Sequence, residues 1–110
     1  MDRQLAERLN ALTKQNEVLR DARLAYLLKE GSRKSFESRL VRAADGRSHA
    51  EKLTNAQATE EWEAFQVELA QLEADFDFQR LKYEVLDKAY LAEHATYKIE
   101  DGLIKRHKGA

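Results

Sequence analysis

Few side chains in this 110-residue chain could do chemistry, and none stands at a spacing that chemistry needs. The histidines are His49, His94 and His107, and there is no cysteine. A zinc or di-iron centre requires donors gathered by short spacings, such as His-Glu-x-x-His, or a Glu-x-x-His on each of two facing helices. Neither pattern occurs, and Glu93-His94 reads as a solvated pair on a polar surface. Ser32, Ser35, Ser38 and Ser48 have no neighbouring base to activate a hydroxyl. Asp75 and Asp77 are two residues apart and diverge on a helix, so they cannot share a proton. Gly46 and Gly102 are isolated, with no glycine-rich loop to cradle a phosphate. The sequence predicts no enzyme, no metal, no cofactor and no small-molecule substrate.

What remains is shape. Charged residues make up 35% of the chain and apolar residues 43%, with no proline and four glycines. That composition is the one long helices have. Length predicts one domain, 1–110. From Trp62 the residues Phe65, Leu69, Leu72, Phe76, Tyr83, Leu86 and Tyr90 recur in alternating steps of three and four, broken only at Gln79 and Glu93. Such a seam predicts a long helix over about 56–100, packed as in a coiled coil. In the first half Leu5, Leu9, Leu12, Asn16 and Leu19 share the rhythm, and Arg23 and Tyr26 extend it. They predict a helix over about 3–43, open to bending at Gly31.

Between them Asp45-Gly46 is a stop signal, and Ser48-His49-Ala50-Glu51 is a capping box. Thr54-Asn55-Ala56-Gln57 repeats that logic before the second long helix, making 45–55 a compact connector. Residues 102–110 are predicted to be a short basic tail that frays. The fold class is therefore all-α: a long antiparallel helical hairpin. Asn16 would meet Gln79 in that register.

Charge supports the pairing. Residues 29–52 hold seven Lys and Arg against four acids, a net of +3, whereas 60–77 hold seven acids and no base. The basic block has a competing use. Arg33, Lys34, Arg39, Arg42 and Arg47 near the hairpin tip, with Lys105, Arg106 and Lys108 at the end, could contact the phosphates of a nucleic acid. Neutralisation of the acidic block is the favoured use, since only Phe36 supplies an aromatic ring there.

A second apolar stripe lies opposite the seam on the second helix. Val67, Ala70, Ala74, Phe78, Leu81, Val85, Ala89 and Ala92 recur at helical spacing where a two-helix hairpin should be polar. Something must cover Phe78, Leu81 and Val85: the first helix, a second copy, or another protein. A second copy is favoured, giving a homodimer and an elongated four-helix bundle. No apolar run approaches the ~18 residues of a membrane span. The polar helical pattern that opens at Met1-Asp2-Arg3-Gln4 predicts a cytoplasmic protein without a membrane partner.

Ser48-His49-Ala50-Glu51-Lys52, Trp62-Glu63-Ala64-Phe65 and the helix from Phe78 to Tyr90 resemble small helical-hairpin proteins of bacteriophages and prophages. The likeness covers residues 45–95 and implies an accessory protein of early or recombination gene clusters, acting through contacts. Tyr97-Lys98-Ile99-Glu100-Asp101 is similar to the C-terminal Tyr-x-x-x-Asp/Glu signal of the secreted WXG100 hairpins. Asp45-Gly46-Arg47 stands where that family has Trp-x-Gly. The expected function is a non-enzymatic scaffold or adaptor acting on itself and another protein, with accessory nucleic-acid binding and a WXG100-like role as alternatives.

Overall fold

With no proline and with alanine, leucine and long charged residues dominant, nothing interrupts helix propagation except Asp45-Gly46 and the residues around Thr59. The computed structural model describes residues 3–109, and the side chains of 3–106. Among the described residues there are three helices: α1 (Arg3–Ala43), α2 (His49–Gln57) and α3 (Glu60–Gly109).

Helix α1 passes through Gly31 without a break. A Cβ there would meet nothing within 4 Å, so the glycine is neither a turn nor a close approach. Its cost of about 1 kcal/mol relative to alanine is carried by packing on either side, at Lys29 and Phe36. The helix ends at Ala43. Ala44 N–H donates to Val41 O at 3.2 Å, and Gly46 follows with φ +156°. A side chain there would be strained, because its Cβ would lie 2.9 Å from Lys52 N.

Ser48 caps α2. Its Oγ accepts from Glu51 N–H at 3.2 Å. The Glu51 carboxylate reaches back to Arg47 N–H at 3.3 Å, one residue earlier than in the usual capping box. Asn55 Nδ2 donates to Asp45 O at 2.6 Å, tying α2 to the chain before it.

Two boundaries differ from the sequence reading. The long second helix begins at Glu60 rather than near Ala56, because Thr59 caps it. Its Oγ1 accepts from Trp62 N–H at 3.2 Å and donates to Ala56 O at 2.8 Å. Thr54, expected to cap, lies inside α2 and donates back to Ala50 O. At the other end, the expected frayed tail from Gly102 is helical to Gly109. The ion pair of Lys105 with Asp101, at 3.0 Å and one turn apart, supports that stretch.

The chain packs as two compact units, one of Asp21–Phe76 and one of the residues up to Arg20 with those from Asp77 onward. In the Asp21–Phe76 unit, Tyr26 meets Phe76, Lys29 meets Glu68, and Phe36 meets Phe65 and Trp62. Partner numbers on α3 fall as those on α1 rise. The rings of Phe36 and Phe65 stack with centroids 4.7 Å apart, and Trp62 lies 6.0 Å from Phe65. Ala22, Leu40, Ala56, Phe65 and Leu69 are buried here.

In the other unit Leu5 and Gln15 are buried. Gln15 Nε2 donates to Gln79 Oε1 at 2.8 Å and to Gln79 O at 3.1 Å. Gln79 therefore has an amide partner on α1, but it is Gln15; Asn16 is exposed. The physical reason lies in the heptads of α1. Leu5, Leu12, Leu19, Tyr26 and Leu40 form one inward row, and Gln15, Ala22, Lys29 and Phe36 the other. Leu9 and Arg23, placed in the seam by hydropathy, lie on the exposed side.

Candidate functional site

On α3 the seam residues Trp62, Phe65, Leu69, Leu72, Phe76, Tyr83, Leu86 and Tyr90 are all buried or half-buried, and so are Gln79 and Glu93. The 3.6-residue period of a helix then turns the opposite stripe outward. Among residues from Asp77 onward, Phe78 is 61% exposed, Leu81 57% and Val85 66%. Ala92 is exposed and Ala89 half-buried. The stripe runs on through Ile99 and Leu103, which are equally exposed and continue it in steps of seven and four. The sequence reading ends the stripe at Ala92 and places Leu103 in the tail. Val67 and Ala74 of the Asp21–Phe76 unit are also exposed.

The rim of the stripe carries both signs of charge: Asp77, Glu84, Arg80, Lys82 and Lys88. Arg80 pairs with Asp77 at 3.3 Å. A mixed rim around an apolar line suits a partner that also carries both signs of charge.

The core beneath is thin. The buried apolar side chains among the described residues are Leu5, Ala22, Leu40, Ala56, Phe65 and Leu69, and no large side chain is wholly enclosed. Among the described residues thirteen large apolar side chains are exposed, including Leu24, Leu27, Leu28 and Leu91. Small domains with so little enclosed surface usually gain stability by association.

The basic residues fall into different settings. Lys29 pairs with Glu68 at 2.8 Å and lies 4.5 Å from the centre of the Phe65 ring. Arg33 turns to Glu30 on its own helix. Arg39 lies over the Phe36 ring at 5.1 Å. Arg42 Nε approaches Ser38 O at 3.4 Å. Lys34 and Arg47 are exposed, as are Lys105 and Arg106 on α3. The side chains of His107 and Lys108 lie outside the described residues. The Asp101 carboxylate, which with Tyr97 carries the likeness to WXG100 proteins, raises the Lys105 amine above the usual lysine value by hydrogen bonding and charge attraction.

The histidines are not gathered: His49 is exposed on α2, and His94 lies 6.0 Å from the Tyr90 ring on α3. Among the described residues no group of three or more His, Asp or Glu side chains is placed to hold a metal, and no helix is long and apolar enough to cross a membrane. No family model, curated protein or solved structure significantly matches this chain.

Proposed function

We propose that this protein is a non-enzymatic coiled-coil scaffold or adaptor. In this reading α1 and α3 form an antiparallel hairpin, and α3 pairs with a second copy through Phe78, Leu81, Val85, Ile99 and Leu103 to build a four-helix bundle. The observation that carries it is that stripe: large apolar side chains, all more than half exposed, on a chain whose own core is thin. The mixed-charge rim favours self-pairing over a partner of one charge. The resemblance of residues 45–95 to phage and prophage hairpins supplies the setting, an accessory protein that works by holding others. Faces the dimer leaves open, such as Leu24, Leu27 and Leu28, are available to a different protein.

The test is the solution mass by light scattering coupled to size exclusion, across a range of concentrations, for the native chain and for Leu81→Glu. The reading expects a native dimer and a helical Leu81→Glu monomer. A native monomer at every concentration refutes self-pairing.

A further inference from the structure

A second surface, independent of the apolar stripe, lies wholly within the Asp21–Phe76 unit. An open groove of about 520 Å³ runs along α1, lined by Lys29, Ser32, Ser35, Phe36, Arg39 and Arg42 and floored by Phe65 of α3. We infer that this groove binds the phosphate backbone of a nucleic acid.

Its lining holds three cations and two hydroxyls and no carboxylate. The Arg39 guanidinium carbon lies 5.1 Å from the centre of the Phe36 ring, and a guanidinium held against a ring can still offer its N–H groups to paired oxygens. Arg42 spends only Nε, on a 3.4 Å contact to Ser38 O, so its terminal nitrogens remain available. Among the described residues neither Arg39 nor Arg42 has a carboxylate at ion-pair distance, although residues 60–75 of α3 carry six acids. Of this lining, Lys29 takes the acidic block's charge, through Glu68. Neither arginine is thus paired with a carboxylate among the described residues.

Spacing selects a polymer over a lone anion. Residues three and four apart on a helix are neighbours at about 5–6 Å. Ser35, Arg39 and Arg42 therefore form a row of donors along the groove, as successive phosphates of a strand require. The Ser32 hydroxyl stands outside that row, because its proton is donated to Lys29 O at 2.7 Å.

The experiment is fluorescence anisotropy of labelled single-stranded and duplex oligonucleotides with the full chain, at about 50 and about 200 mM salt. Binding is expected at the lower salt and should weaken steeply at the higher. Arg39→Ala with Arg42→Ala should cut affinity at least about tenfold and reduce the slope of log K against log salt by about two, one for each phosphate no longer neutralised. Far-ultraviolet circular dichroism should show unchanged helicity, since both side chains are exposed. Arg8→Ala with Lys14→Ala removes the same charge from exposed positions outside the groove and should leave affinity within about twofold. The inference fails if neither oligonucleotide binds at the lower salt, or if the two double variants weaken binding equally. It also fails if polyglutamate displaces the bound oligonucleotide as well as unlabelled oligonucleotide does, which would make the groove a site for acidic protein.

Discussion

Leu81→Glu isolates the central claim, and its size can be worked out from exposure. Burying a whole Leu, Val, Ile or Phe side chain contributes about 1.5–3 kcal/mol. Phe78, Leu81, Val85, Ile99 and Leu103 each retain between 57% and 66% of their exposure. Covering what remains is then worth ~1–2 kcal/mol per residue, or ~10–20 kcal/mol for the ten side chains of a dimer. Association itself costs ~4–15 kcal/mol, so the stripe is about what a dimer needs and leaves little surplus. In a two-fold interface Leu81→Glu is made twice. Each copy loses ~1–2 kcal/mol of burial and places a carboxylate where it would be desolvated, a further ~1–3 kcal/mol. The total of ~4–10 kcal/mol corresponds to at least three orders of magnitude in Kd. Sedimentation equilibrium measures that Kd directly, and circular dichroism checks that the monomer stays helical. Two results would refute the reasoning: a variant that dimerises as tightly as the native chain, or one that loses its helicity as a monomer. The second would mean that Leu81 belongs to the chain's own core, contrary to its exposure.

Four further outcomes follow from the packing. Phe65→Ala should destabilise by about 3–5 kcal/mol in urea titration, because it removes a buried ring stacked on Phe36 and Trp62, and Trp62 fluorescence should shift with it. Gln15→Leu should cost about 1–3 kcal/mol in the same assay, since the Gln79 side-chain oxygen and carbonyl both lose the Gln15 donor in a half-buried place. Gly46→Ala should cost about 1–3 kcal/mol by forcing an unfavourable φ and a close approach to Lys52 N, whereas Gly31→Ala, with open space around it, should raise the melting temperature. The Lys105 amine, raised by Asp101, should titrate above the ordinary lysine value by nuclear magnetic resonance and return to it in Asp101→Asn. Because the folded value is the higher one, the pair's support of the α3 end is complete below the ordinary lysine pKa and is lost as pH rises through the raised one.

How much of this is legible in the sequence depends on which helix is read. On α3 the inward row is almost wholly aromatic and aliphatic, so hydropathy and geometry coincide, and every seam position from Trp62 to Tyr90 lies inward. On α1 the inward row that repeats through Gln15, Ala22, Lys29 and Phe36 is mostly small or polar, while Leu9 sits one position outside it. Hydropathy therefore points to the neighbouring row at Asn16 and Arg23. The polar members are tolerable inside because each finds a partner on α3: Gln15 its hydrogen bonds to Gln79, Lys29 its carboxylate from Glu68 and its ring from Phe65. A single helix's pattern contains no information about the partner's side chains. The capping threonine falls into the same gap, since Thr54 and Thr59 both precede plausible starts. Only the bonds Thr59 makes to Ala56 O and Trp62 N–H separate them.

The same reasoning bears on the two surfaces. The acidic block on α3 and the basic block on α1 look complementary when each is counted as net charge. Charge pairing is decided at hydrogen-bond range, however, and exposed pairs contribute only ~0.2–1 kcal/mol, too little to pull long side chains from better contacts. Arg33 satisfies itself with Glu30 one turn away, and Arg39 lies on a ring. Net complementarity thus leaves local surplus: cations along the α1 groove, and carboxylates elsewhere. The apolar stripe on α3 arises by the parallel route, because a helix with two apolar rows can bury only one of them against a single neighbour. Both candidate surfaces are remainders of incomplete internal pairing. They should therefore respond independently: Leu81→Glu should abolish the dimer without altering the per-chain salt slope of oligonucleotide binding, and Arg39→Ala with Arg42→Ala should weaken that binding without altering the mass. Loss of both properties in either variant would show that they share one surface.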